Sequence, residues 1–147
     1  MRPSHRFSYA LKALVDLAVH QGTGPVTTAA IAKRQGIPVR SLEQLFNRLR
    51  RGGLVESERG PRGGYRLGKP AGQIRVRSIF ETLEPKPSSV NASKRRPIGA
   101  DDPIRAVWQQ VESAVKTTLE ATTLEALAAQ ARSKTATPMQ HRYTFHI

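Results

Sequence analysis

The 147-residue chain carries 24 lysines and arginines against 11 aspartates and glutamates, and its net charge of +13 calls for a polyanionic partner, most simply nucleic acid. That length is one domain's worth, and the absence of cysteine excludes disulfides, thiolate zinc sites, iron–sulfur clusters and a cysteine nucleophile. No uncharged apolar run approaches the ~20 residues that cross a bilayer. Lys12 and Asp16 interrupt the stretch an export signal would need, so a soluble, cytoplasmic protein is expected.

The charge is concentrated. Between Lys33 and Arg77 stand twelve basic residues and three acidic ones, Glu43, Glu56 and Glu58, a net +9 that is most of the total. Aromatic residues make up only 5% of the chain, so the core must be aliphatic and small, and an oligomer would relieve it.

Phe7, Ala10, Leu11, Leu14, Leu17 and Ala18 share one helical face and predict a helix over 7–19, with Ser4 as its N-cap. A short helix from Thr27 buries Ile31 and Ala32 and stops at Gly36. Pro38 suits the first turn of a third helix, where its missing N–H costs nothing. That helix repeats Leu42, Leu45, Phe46 and Leu49 at i, i+3, i+4, i+7 and closes on Gly52-Gly53.

The second and third helices, joined by Gly36-Ile37-Pro38, form a helix-turn-helix candidate. With the apolar stripe inward, Arg40, Ser41, Glu43, Gln44, Asn47, Arg48 and Arg51 face outward. These are groups that bond base edges or phosphates: Arg to guanine, Gln or Asn to adenine, Glu to the cytosine amino group. A merely solvated helix would interleave Glu and Lys at i, i+4, and only Glu43 could serve that end here.

Residues 54–58 and 65–67 alternate like strands around Arg59-Gly60-Pro61-Arg62-Gly63-Gly64, a hairpin whose arginines suit phosphates or a narrow minor groove. Directly after a helix-turn-helix it reads as a wing. Thr28, at the start of the second helix, together with Gly60, Pro61, Gly63 and Tyr65, completes the expected DNA-facing set. A fourth helix near 76–84 buries Val76, Ile79, Phe80 and Leu83.

Residues 85–103, with four prolines and Lys94-Arg95-Arg96, read as a flexible loop. Asp102-Pro103 then starts a long helix with the stripe Ile104, Val107, Trp108, Val111, Val115 and Leu119. The compact N-terminal domain leaves little to cover that stripe, so a second copy of the chain is its expected partner. Thr122-Thr123-Leu124-Glu125 has the form of a capping box for a short helix through Leu127 to Ala129. The chain is therefore expected to be mainly α (α+β): a winged helix-turn-helix domain over 1–84, a loop over 85–103, dimerisation helices over 104–131 and a loosely tethered tail over 132–147.

No catalytic constellation stands out. His5, His20, His141 and His146 never take the i, i+4 spacing of a helical metal pair, and Asp101-Asp102 is better explained as a helix cap than as paired acids. No cofactor is expected.

The segments Tyr9 to Leu14, Ile31-Ala32, Leu42 to Phe46 and Arg59 to Tyr65 resemble the IscR/CymR family of bacterial winged-helix transcription regulators, over nearly the whole chain. The resemblance implies a homodimer formed through the long C-terminal helix and an operator read by Arg40, Glu43, Gln44 and Arg59. Cluster-bearing members place three cysteines in the loop before the long helix. Pro85 to Pro103 holds none, and Arg105 stands near the position where some members add a histidine.

Ala114-Val115-Lys116, Thr122 to Ala128 and Tyr143-Thr144-Phe145-His146-Ile147 are similar to the cluster-free, cysteine-metabolism branch of that family. This implies a repressor that receives its signal through cysteine synthase (O-acetylserine sulfhydrylase), with Ile147 and its carboxylate entering a pocket of that enzyme and Tyr143 and Phe145 also in the partner-binding set. Two other classes compete. One is a sequence-blind nucleoid or RNA-binding protein, which explains the charge but not Glu43. The other is a regulator of a metabolic enzyme that acts mainly through its tail.

Overall fold

The computed structural model describes residues 4–84 and 103–136. Helix α1 (His5–His20) begins where the Ser4 hydroxyl accepts the Phe7 N–H at 3.2 Å. Helix α2 (Thr28–Gln35) begins the same way, with Thr27 accepting the Ala30 N–H at 3.1 Å. It ends at Gly36, whose φ of 64° lies in the left-handed region that glycine enters at no steric cost. Pro38 sits at the cap of α3 (Val39–Arg51), one residue before the helical turn in which it was expected.

Strands β1 (Val55–Glu58) and β2 (Gly64–Leu67) pair antiparallel, Val55 opposite Leu67 and Glu58 opposite Gly64. A 3-10 turn (Ala71–Gln73) leads into α4 (Val76–Leu83), and the long α5 (Pro103–Ala121) precedes α6 (Leu124–Ala136). Leu14, Leu17, Ile31, Leu42, Phe46, Leu49, Ile79 and Leu83 form a single core in which α1 is central. Phe80, expected inside, is half-buried and meets Phe7 edge-on, with ring centroids 5.4 Å apart.

The C-terminal helices differ from expectation. Residues 122–131, expected as part of the dimerisation helices, also dock on their own chain, with Leu124 and Ala128 fully buried in the N-terminal core. The Leu124 N–H donates to the Ile74 carbonyl at 2.8 Å and the Val76 N–H to the Thr122 carbonyl at 3.0 Å, so a strand-like bridge clamps the start of α6 to the start of α4. Thr122 makes that clamp, and the cap passes to Thr123, whose hydroxyl accepts the Ala126 N–H at 3.1 Å.

The helix also runs past the expected boundary at 132. No proline intervenes before Pro138, and the Ser133 and Thr135 hydroxyls fold back onto carbonyls of the preceding turn. Arg132 bonds Glu125 at 2.8 Å and reaches the Ala18 carbonyl. The expected loop, the acidic pair Asp101-Asp102, the tail residues Tyr143, Phe145 and Ile147, and His141 and His146 lie outside the described residues.

On α5, Val115 and Leu119 are half-buried, while Ile104, Val107, Trp108 and Val111 are 59%, 57%, 64% and 39% exposed. An apolar stripe thus lies open along this helix in the single chain.

Among the described residues, one polar side chain is buried in the core. Asp16, on α1, is 3% exposed and accepts three bonds from Arg34, the shortest at 2.6 Å, and one from Gln35 at 2.9 Å. Burial alone would raise its carboxyl's pKa. The bonds from Arg34 and Gln35, with the charges of Arg34 and His20, outweigh burial and hold it below the ordinary value of 3.8. A depressed acid stabilises the fold fully above its unfolded pKa, and that contribution is lost as the pH falls through the folded value. Arg34→Ala should cost about 3 kcal/mol at neutral pH, the low end for an orphaned buried charge. The melting temperature should fall by on the order of 10 °C at pH 7. The deficit should narrow as the pH falls, because without Arg34 the burial of Asp16 is less opposed and the variant's carboxyl takes up a proton more readily than the wild type's; thermal melts at pH 7 and pH 4.5 test this.

Candidate nucleic-acid interface

Helix α3 presents two chemistries. Leu42, Leu45, Phe46 and Leu49 are buried, and Arg40, Glu43, Gln44, Asn47, Arg48, Arg50 and Arg51 are exposed, with Ser41 half-buried. At about 100° per residue, Arg40, Gln44, Asn47 and Arg51 lie at the centre of the outer face. Glu43 and Arg50 flank it on the side of Phe46; Ser41 and Arg48 flank it on the side of Leu45. Arg50 did not stand out in the sequence, although it sits one heptad after Glu43 on the same flank.

Arg48 is less free than its position implies. Its guanidinium donates to the Leu83 carbonyl at the end of α4, at 3.4 Å, tying the recognition helix to its neighbour. Thr28 is half-buried in the first turn of α2.

The hairpin is held to the body by its second strand. The Tyr65 N–H donates to the Val26 carbonyl at 2.7 Å, and the Val26 N–H returns a bond to the Tyr65 carbonyl at 3.0 Å. The Tyr65 ring packs on Phe46 with centroids 4.6 Å apart. Tyr65, expected among the DNA contacts, also anchors the wing to the core through its backbone and ring.

Gly64 explains why the backbones come so close. Its φ is 155°, and a Cβ there would stand 2.6 Å from the Val26 carbonyl oxygen. Gly63 is likewise tucked into the turn, its N–H bonded to the Gly60 carbonyl at 2.9 Å. At the tip Arg59, Gly60, Pro61 and Arg62 are exposed.

The carboxylates sort the charges. Glu58 pairs with Arg66 across the hairpin, Glu81 and Glu120 both engage Arg77, and Asp16 holds Arg34. Among the described residues no carboxylate pairs with Arg40, Arg50, Arg51, Arg59 or Arg62. The arginines of the outer α3 face and of the wing tip are thus opposed by no ion pair, with Glu43 as the one acid on α3.

The Rrf2 family profile, described as an iron-dependent transcriptional regulator, matches residues 3–130. The chain belongs to the Rrf2 family of transcriptional regulators. It is 37% identical to the HTH-type transcriptional regulator IscR of Xenorhabdus nematophila over 129 residues, 86% of this chain and 79% of that one. The 48% identity with IscR of Cronobacter sakazakii spans 64% of this chain and 56% of that protein.

Among solved structures, T. potens IscR aligns with a TM-score of 0.79 at 32% identity, covering 97% of each chain. CymR, the global cysteine regulator of B. subtilis, aligns at 0.76 and 34%, covering 88% of this chain and 98% of that one. These relatives are named as regulators, not enzymes, and the winged-helix architecture is theirs too.

The iron in the family description does not fit a thiolate site here. The chain has no cysteine, and among the described residues no three His, Asp or Glu side chains come together as a metal-ligand group. A cluster held by thiolates has no ligands in this chain.

Proposed function

We propose that this chain is a dimeric, sequence-specific DNA-binding repressor that lays α3 in the major groove and the Arg59–Arg62 tip against the adjacent backbone or minor groove. The observation that carries the reading is the exposed, mixed face of α3. Arg40, Gln44 and Asn47 can each bond a base edge. Glu43 gains from a nucleic acid only by accepting a bond from a base amino group, because facing phosphates it is repelled. A sequence-blind binder has no use for it.

The dimer supplies the occupant that the open stripe of α5 lacks. Burying Val107, Trp108 and Val111 against the same residues of a second copy would place two α3 helices about a two-fold axis, matched to a palindromic site. The regulated genes, on this reading, belong to cysteine and sulfur metabolism, and cysteine synthase binds Tyr143, Phe145 and Ile147. Similarity to CymR and the apolar alternation of those three residues support this narrower part.

Three outcomes test the proposal. Selection of binding sites from random duplexes should return a consensus, and Glu43→Ala should relax one base position per half-site by about 1–3 kcal/mol of discrimination; an unchanged consensus would remove Glu43 from readout. Val111→Glu should sediment as a monomer and bind the selected duplex poorly, because the introduced charge would be buried unpaired. Ile147→Ser should lose capture of purified cysteine synthase while keeping dimer and DNA binding, and retained capture would refute the tail reading.

A further inference from the structure

The two flanks of α3 are differently furnished. On the Phe46 side stands the wing, anchored through Tyr65. On the opposite side, Ser41, Gln44 and Arg48 of α3 share a cleft with His5, Arg6 and Tyr9 from the first turns of α1. An α-helix with its side chains is about 10–12 Å across and the major groove about 12 Å wide, so a helix seated there fills it. Whatever stands beside that helix on either flank then lies over one of the two phosphate rows bordering the groove. The wing serves one row, and the opposite row faces the start of α1.

The residues found there suit a phosphodiester. Arg6 and His5 are exposed, and no carboxylate among the described residues pairs with Arg6. Tyr9 is half-buried, its ring 6.2 Å from that of His5, and its hydroxyl is a short donor on a side chain with few rotatable bonds. Glu84, just after α4, accepts the Ser4 hydroxyl at 2.7 Å. The cation that α3 itself has on this flank, Arg48, is engaged with the Leu83 carbonyl. Arg6 of α1 therefore adds to this flank a second cation, exposed and engaged by no carboxylate among the described residues.

We propose that the first turns of α1 form a second backbone clamp, in which Arg6, assisted by His5 and Tyr9, holds a phosphate on the strand opposite the one met by the wing. The clamp rests on the DNA-binding reading above and extends it. It makes the interface three-pointed: wing, recognition helix, α1. It also gives α1, the central helix of the core, a direct hold on the duplex.

The test uses the full-length protein, the duplex recovered by binding-site selection and a mixed-sequence 30-bp duplex. Arg6→Ala changes an exposed side chain and should leave the melting temperature unaltered. On both duplexes its slope of log K against log salt should shrink by about 0.9 for each copy of the chain bound. The selected consensus should stay the same, and ethylation interference should disappear at one phosphate per half-site, on the side away from the wing. Tyr9→Phe should weaken binding at that same phosphate without changing the slope.

A wild-type slope and ethylation pattern for Arg6→Ala would overturn the clamp, as would a shifted consensus, which would make Arg6 a base-reading residue instead. If the wild-type protein binds neither duplex in a salt-dependent way, the DNA-binding reading itself fails, an outcome distinct from failure of the clamp alone.

Discussion

The arrangement of the first three helices depends on the carboxylate of Asp16. Apolar packing between α1 and α2 is non-directional, and small side chains such as Ala13, Ala18 and Ala32 tolerate sliding. An ion pair with a forked, planar partner does not. Arg34 meets both oxygens of Asp16, and Gln35, its neighbour in the last turn of α2, takes one of them as well. The register of α2 on α1 is thereby fixed at the residue preceding the Gly36 turn, and the turn hands that register to α3. With its charge compensated only by these two residues and His20, Asp16 leaves the helix-turn-helix one low-energy arrangement.

The second constraint is how charge is used. Several arginines are neutralised by a partner on the same body: Arg34, Arg66, Arg77 and Arg132. Exposed pairs of this kind add little to stability. Their effect is to neutralise those four positions, while Arg40, Arg50 and Arg51 of α3 and Arg59 and Arg62 of the wing tip keep no carboxylate partner among the described residues. The wing can present its arginines because its root is rigid: Tyr65 packs on Phe46, and Gly64 lets the Val26 backbone come within hydrogen-bonding distance. A flexible hairpin would hold the same charges but spend the entropy of ordering them on each encounter.

How far this was legible in the sequence depended on whether the signal was local. The α1 and α3 helices announce themselves through apolar periodicity, α2 through its Thr27 cap and the Gly36 stop, and the hairpin through its glycines and Pro61. The single-residue pairing of Val26 with Tyr65 has no local signature, since one β-branched residue after Pro25 forms no strand pattern. The anchoring of Tyr65, which stands beside the DNA contact expected of it, therefore leaves no mark in the sequence. The Arg48 bond to α4 is hidden for a related reason: the position on the helix is outward, but the length of the side chain lets it turn back to a carbonyl. The docking of α6 was hidden because Leu124 and Ala128 are too few to mark a stripe, and the burial that decides the matter comes from α1. The capping-box pattern points to Thr122, but the Thr122 hydroxyl donates to the Thr118 carbonyl at 2.9 Å, and Thr123 carries the cap.

That bridge has a mechanical consequence. The paired backbones of Ile74 to Val76 and Thr122 to Leu124 join the DNA-binding body to the α5–α6 corner through directional bonds, and α6 adds a buried face on α1. Arg77 braces the same corner by reaching both Glu81 of its own helix and Glu120 of α5. The end of α5 therefore cannot rotate relative to α3 without breaking backbone hydrogen bonds and exposing Leu124. In the proposed dimer, the separation and tilt of the two recognition helices are then set by how two α5 helices pack. A signal that changes that packing by a small angle moves each recognition helix as part of a rigid body. No helix needs to melt for the chain to gain or lose its match to a palindromic site.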